Sequence, residues 1–211
     1  MMSRNWLRVL FALSAVFSLN ASVADAASHD VFLSPYYCMP SGSGVTDATV
    51  SFITVNGGRG SIPALNLVVP QNSTTIGAYG LVQSAAPVGF GSLSFDAKDV
   101  NRSAFVVVHV TQKNGQPNAG VAFFSDCVTA PTLDTPSDWF HCVAQTSKFF
   151  AFDNGPFDKD ATFAYATLLQ FEDSSATRST QVANVRLNAQ AKNAVAVMRQ
   201  AENNCALIGE K

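Results

Sequence analysis

Few side chains in this sequence could do chemistry. The three histidines are His29, His109 and His141, and the four cysteines are Cys38, Cys127, Cys142 and Cys205. A general base, a nucleophile or a metal site would have to be assembled from these and from scattered carboxylates. The chain holds no G-x-S-x-G elbow, S-x-x-K, H-E-x-x-H, Walker loop or G-x-G-x-x-G, the spacings by which such sites are commonly read. It also lacks C-x-x-C and any Cys/His pair at ligand spacing, so zinc has no ligand set. A Ser–His–Asp triad is defined by geometry and not by chain order, so a hydrolase with an unsignalled triad stays open. His109 falls on the partly apolar face of a strand, where a structural imidazole is the ordinary case. Asp153, Asn154, Asp158 and Asp160 form one acidic cluster. Their spacing does not match an EF-hand, and they read as turn residues before they read as a calcium site. Neither a metal nor any other cofactor is expected.

The cysteines carry more information as crosslinks. They are even in number, and in an oxidising compartment that favours two disulfides. Three pairings are open; Cys127–Cys142 and Cys38–Cys205 are preferred. The first is short and brackets a Pro-rich loop; the second ties the N-terminal part to the C-terminal part. Within the loop, Trp139, Phe140 and His141 form a candidate recognition element. A loop stiffened by Pro131, Pro136 and a disulfide loses less entropy on binding. Its aromatic rings could stack on a sugar or fill a partner's pocket; equally, they could plug one end of the fold.

The compartment follows from the N-terminus. Arg4 and Arg8, an apolar run from Val9 to Leu19, and Ala24-Asp25-Ala26 occur in the order of a cleavable signal peptide. Residues 1–26 are therefore expected to be removed, leaving 27–211 as one secreted or periplasmic domain. The apolar run is too short to span a bilayer, and no later stretch is long enough either, so the mature chain should have no membrane span. Only 13% of residues are charged and the formal net charge is −2. With no basic patch, nucleic acid is a poor partner. A low-charge, hydroxyl-rich surface suits assembly or neutral ligands, so a protein or glycan partner is expected. The leading expectation is an exported, non-catalytic binding, adhesion or surface-assembly protein.

Cleavage after Ser28 would leave His29 at the mature terminus. The start His29-Asp30-Val31-Phe32-Leu33-Ser34-Pro35 then resembles, over fewer than ten residues, that of lytic polysaccharide monooxygenases. Those enzymes bind copper through an N-terminal His and a second His on a β-sandwich. The resemblance implies a copper-dependent polysaccharide oxidase as an alternative to the hydrolase. Ala24-x-Ala26 is the better cleavage site, however, and the second-His context of that family is missing.

These residues must be positioned by strands. Period-2 alternation broken by turn signals recurs from Thr49 to Leu187 and predicts an antiparallel β-sandwich of roughly eight to nine strands. Strands are expected at 49–55, 62–69, 75–83, 91–97, 104–112, 121–126, 148–152, 163–171 and 180–187. Gly77 and Gly80 mark expected bulges, and Pro63 puts the start of its strand at an edge or outside the ladder. In 104–112 both faces are apolar, which predicts a central strand covered on both sides. The pattern then changes. Ala191, Ala194, Val195, Met198, Ala201 and Cys205 recur at helical spacing, so one α-helix is expected at about 188–206, packed on the sandwich.

Overall fold

The computed structural model describes residues 31–36, 48–58, 60–73, 77–98, 104–124, 135–171, 175–188 and 197–198. They form two sheets packed face to face. The strands are β1 (Val31–Tyr36), β2 (Thr49–Gly57), β3 (Gly60–Val69), β4 (Gly77–Gly89), β5 (Ser92–Lys98) and β6 (Ala104–Thr111). They continue as β7 (Pro117–Phe123), β8 (Phe140–Gln145), β9 (Ala151–Phe152), β10 (Thr162–Phe171), β11 (Arg178–Leu187) and β12 (Val197–Met198). One sheet has seven strands in the order β12-β1-β4-β10-β6-β7-β9, the other five in the order β2-β3-β11-β5-β8. Every pair is antiparallel except β1 with β12. The chain is an antiparallel β-sandwich, as its alternation predicts.

Alternation explains the core. On β6, Ala104, Val106, Val108 and Val110 face the second sheet and are buried in one cluster with Leu65, Leu67, Phe95 and Val182. Phe105 and Val107 point the other way and are buried as well, in a cluster with Val121, Leu169 and Phe171 on the outer side of the seven-stranded sheet. β6 is thus covered on both faces, between β10 and β7. Phenylalanines close one end of the core: Phe90 meets Phe157 edge-on at 5.6 Å and Phe149 meets Phe157 at 5.3 Å. A buried hydrogen bond crosses between the sheets, from Thr180 Oγ1 to Gln170 Oε1 at 2.6 Å.

Several local expectations need correction. Gly77 and Gly80 are not bulges, since β4 holds a continuous register past both. They mark close approach: a Cβ at Gly77 would lie 2.7 Å from the Gln170 carbonyl oxygen, and one at Gly80 2.7 Å from Leu65 Cδ2. The expected strand 148–152 is a 3-10 turn at Thr146–Lys148 followed by the two-residue β9. Pro63 does sit outside the β3–β11 ladder, which begins at Leu65.

The expected helix at 188–206 does not hold where the chain is described. Asn188 adopts a left-handed φ of 56°. Its side chain accepts from the Gly91 and Ser92 amides and donates to the Gly89 carbonyl. Those bonds end β11 in a turn that competes with a helix start. Val197 and Met198 are extended and pair in parallel with Phe32 and Leu33. The rest of that segment, 189–196 and 199–206, lies outside the described residues.

Candidate functional site

The outer face of the five-stranded sheet carries a polar cluster built around one buried carboxylate. β5 reads Ser-Leu-Ser-Phe-Asp-Ala-Lys, so Leu93, Phe95 and Ala97 enter the core while Ser94, Asp96 and Lys98 turn outward. Asp96 is nevertheless 0% exposed. Three elements converge on it. His141, opposite it on β8, places Nδ1 2.8 Å from Oδ1. Asn184 donates Nδ2–H to Oδ2 at 2.8 Å. Thr135 donates its hydroxyl to the same oxygen at 3.2 Å. Asn184 can reach because β11 shifts register between Ala183 and Arg186 and Asn184 takes a φ of 51°. A short polar side chain tolerates that conformation, and a bulge re-aims it.

The segment after Thr135 is folded down onto the same face. A turn is closed by the Trp139 amide donating to the Pro136 carbonyl at 3.1 Å. Trp139 is 2% exposed and packs on Ala64 and Ala183, with Ile53, Val55 and Ile62 at its margin. Lys98 Nζ bonds Asp138 at 2.8 Å and holds that exposed carboxyl below its ordinary range. Phe140 then emerges 41% exposed on the face it shares with Cys142, and Val143, on the face of His141, is 41% exposed.

The candidate residues therefore separate. Trp139 is an anchor under the turn, Phe140 is presented to solvent on one face of β8, and His141 lies on the other face with its side chain 34% exposed. A carboxylate only accepts, so Nδ1 carries the proton, and in the neutral ring Nε2 is an acceptor. Among the described residues no side chain bonds Nε2. Cys142 is buried between the sheets; Cys38, Cys127 and Cys205 lie outside the described residues, as does His29. His109 is on the opposite outer face, stacked on Tyr165 at 4.1 Å. Burial alone lowers its pKa from 6.5 to about 3, and burial pushes the Tyr165 hydroxyl above its ordinary range. A narrow apolar slot opens between the sheets beside β8, and neither histidine lines it.

The acidic segment builds turns. Asp158 accepts from the Lys113 amide at 3.1 Å, and Asp160 faces Lys113 Nζ at 3.8 Å. Asn154 donates its amide to Asn118 Oδ1 at 2.9 Å. Among the described residues no three His, Cys, Asp or Glu are grouped to hold a metal ion, and no helix is long and apolar enough to cross a membrane.

Two antiparallel sheets with a turn clamped on one outer face define a β-sandwich with a small surface site. No family model and no curated protein matches the chain. Solved structures give distant likenesses. One is a family 11 carbohydrate-binding module of a cellulosomal cellulase of Clostridium thermocellum, at 13% identity and TM-score 0.41, over 84% of this chain and 94% of that one. Another is an exo-β-agarase at 14% identity and TM-score 0.41, over 74% of this chain and 25% of that one. A third is a mutant family 29 carbohydrate-binding module complexed with mannohexaose, at 13% identity and TM-score 0.29, over 77% and 90%. At these scores the likenesses add nothing to what the two sheets themselves show.

Proposed function

We propose that this protein is an exported, non-catalytic binding module that presents Phe140 and His141 to a neutral ligand, with glycans the first class to test. The observation that carries the reading is the contrast inside one tripeptide. Trp139 and the Asp96 cluster fix the backbone, while the two side chains that follow are left open to solvent. A surface braced in this way before binding loses less entropy when a ligand arrives. On the edge strand β8 the ring of Phe140 and the imidazole of His141 point to opposite faces, and a sugar reaching across that edge could use both, with its apolar face on the ring and its hydroxyl edges at the imidazole. The low charge of the chain supports a neutral ligand over a phosphate backbone or an anionic surface. In affinity electrophoresis through gels containing neutral polysaccharides, the wild type should be retarded by at least one. Phe140→Ala should lose about tenfold in affinity, the effect of removing one stacking contact. Equal retardation of wild type and variant in every gel would contradict the reading.

One observation favours a second reading. His141 bonded to a buried carboxylate has the orientation of a general base in a hydrolase. That reading needs a nucleophile at Nε2 and a cleft around it.

Export rests on the N-terminal pattern, and the two disulfides on the even cysteine count in that compartment. The pairing Cys38–Cys205 is compatible with the parallel pairing of β1 and β12, in which Leu33 lies beside Met198; both cysteines lie outside the described residues. Non-reducing peptide mapping of secreted protein should find Cys38–Cys205 and Cys127–Cys142; any other pairing would overturn the assignment.

A further inference from the structure

We infer that β8 is a pairing edge through which a second copy of this chain joins the five-stranded sheet. β8 ends that sheet and pairs with β5 alone. It reads Phe-His-Cys-Val-Ala-Gln, with no Asp, Glu, Lys, Arg or Pro. Its register with β5 runs from Ser92↔Gln145 to Ala97↔Phe140 without a bulge. Charges, prolines and bulges are the usual protections of an edge, and β8 has none of them. The seven-stranded sheet ends instead in β12 and β9, each two residues long, and very short edge strands are themselves such a protection.

The direction of the open groups follows from β5. The Asn188 amide donates to the Ser92 carbonyl at 2.7 Å, and the Ser92 amide donates to Asn188 Oδ1 at 3.2 Å, so both backbone groups of Ser92 turn toward β11. Alternation turns Leu93, Phe95 and Ala97 toward β8. Their partners Ala144, Cys142 and Phe140 therefore point back at β5, and the backbone groups of His141, Val143 and Gln145 point away from it. Among the described residues nothing bonds the amides of these three or the carbonyls of His141 and Val143. Val143 is 41% exposed at the centre of the row.

This edge is complementary to itself. An antiparallel two-fold pairing about Val143 sets Val143 against Val143 and His141 against Gln145 of the second copy. It exchanges about four hydrogen bonds: Val143 amide to Val143 carbonyl and Gln145 amide to His141 carbonyl, each made twice. On the outer face the two valines cover one another. The Gln145 side-chain amide of one copy lies beside the His141 imidazole of the other, a donor beside the acceptor Nε2. Asp138 precedes the strand and Lys148 follows it, so the antiparallel arrangement brings opposite charges toward each other where a parallel one would bring like charges together. A formal net charge of −2 leaves little repulsion between copies. The inference does not rest on the ligand reading, since no sugar takes part in the pairing.

Sedimentation velocity of the mature protein, without sugar and across a wide concentration range, tests it on the wild type, Val143→Lys and Val143→Glu. The wild type should convert from one copy to two with rising concentration. Each variant alone places like charges face to face at the two-fold axis and should associate about tenfold or more weakly. An equimolar mixture of the two should recover the association, which also shows that both variants are folded. A wild type that stays a single copy, variants that associate as tightly as the wild type, or a mixture no better than either variant would overturn the inference. A single-copy wild type whose Val143 amide resists hydrogen exchange would overturn it too, and would give the edge to another segment of this chain.

Discussion

Asp96→Ala is expected to destabilise the protein by about 3–5 kcal/mol, the range for removing one partner from a buried charged cluster. The cost comes from what is left behind. Thr135, Asn184 and His141 each aim a donor at a carboxylate that is 0% exposed, and alanine removes the acceptor of all three of these bonds. The damage should also be local. The Asp96 bonds pin Thr135 and His141, the two ends of the turn under which Trp139 is buried, so hydrogen-exchange protection should fall first at 135–141 and in the bulge around Asn184. Asp96→Asn should not restore the cluster, because an amide presents two donors where three donors already converge. Equilibrium denaturation and exchange on both variants check this. A loss below about 1 kcal/mol for Asp96→Ala would mean that the cluster does not hold the turn.

Acid should weaken the fold through His109, and His109→Phe should remove that part of the weakening. His109 is buried with a pKa of about 3 against an ordinary 6.5. The folded protein therefore holds a neutral ring, while the unfolded chain takes up a proton below 6.5. The contribution is fully present above 6.5 and is lost as the pH falls toward 3, at about 1.4 kcal/mol per pH unit. Phenylalanine can keep the stacking on Tyr165 and binds no proton. The stability gap between variant and wild type should shift in favour of the variant by about 3 kcal/mol between pH 7 and pH 4. Parallel stability curves for the two proteins over that range would show that His109 is not desolvated in the native state.

The parts of this fold that show in the sequence are those where one strand carries its own evidence. β6 announces itself because Ala104, Val106 and Val108 on one face and Phe105 and Val107 on the other are all apolar, and both faces prove buried. β8 is hidden by its company. Phe140 to Gln145 alternates, but Pro136 and Cys142 make the stretch read as a crosslinked loop. The helix expected at 188–206 fails where it is described because small apolar residues such as Ala and Val satisfy a helical stripe and an extended strand alike; the side chain of Asn188, bonded to the chain at 89–92, then decides for a turn. Asp96 is the clearest loss. One acidic residue on the outward face of β5, two positions from Lys98, reads as solvated. Its partners lie 39, 45 and 88 residues away in the chain, and only the sheet order brings them together. Of the tripeptide Trp139-Phe140-His141 the sequence offers the residue types, and the structure assigns them different positions.

The most direct test of a braced, non-catalytic recognition surface is an amide chemical-shift titration of the full mature protein with a neutral oligosaccharide from the best-retarding polysaccharide. Saturable shifts should cluster at 140–145 and on the facing residues of β5, with the oligosaccharide recovered intact. Shifts elsewhere with none at 140–145, or cleavage of the oligosaccharide that His141→Ala abolishes, would contradict it.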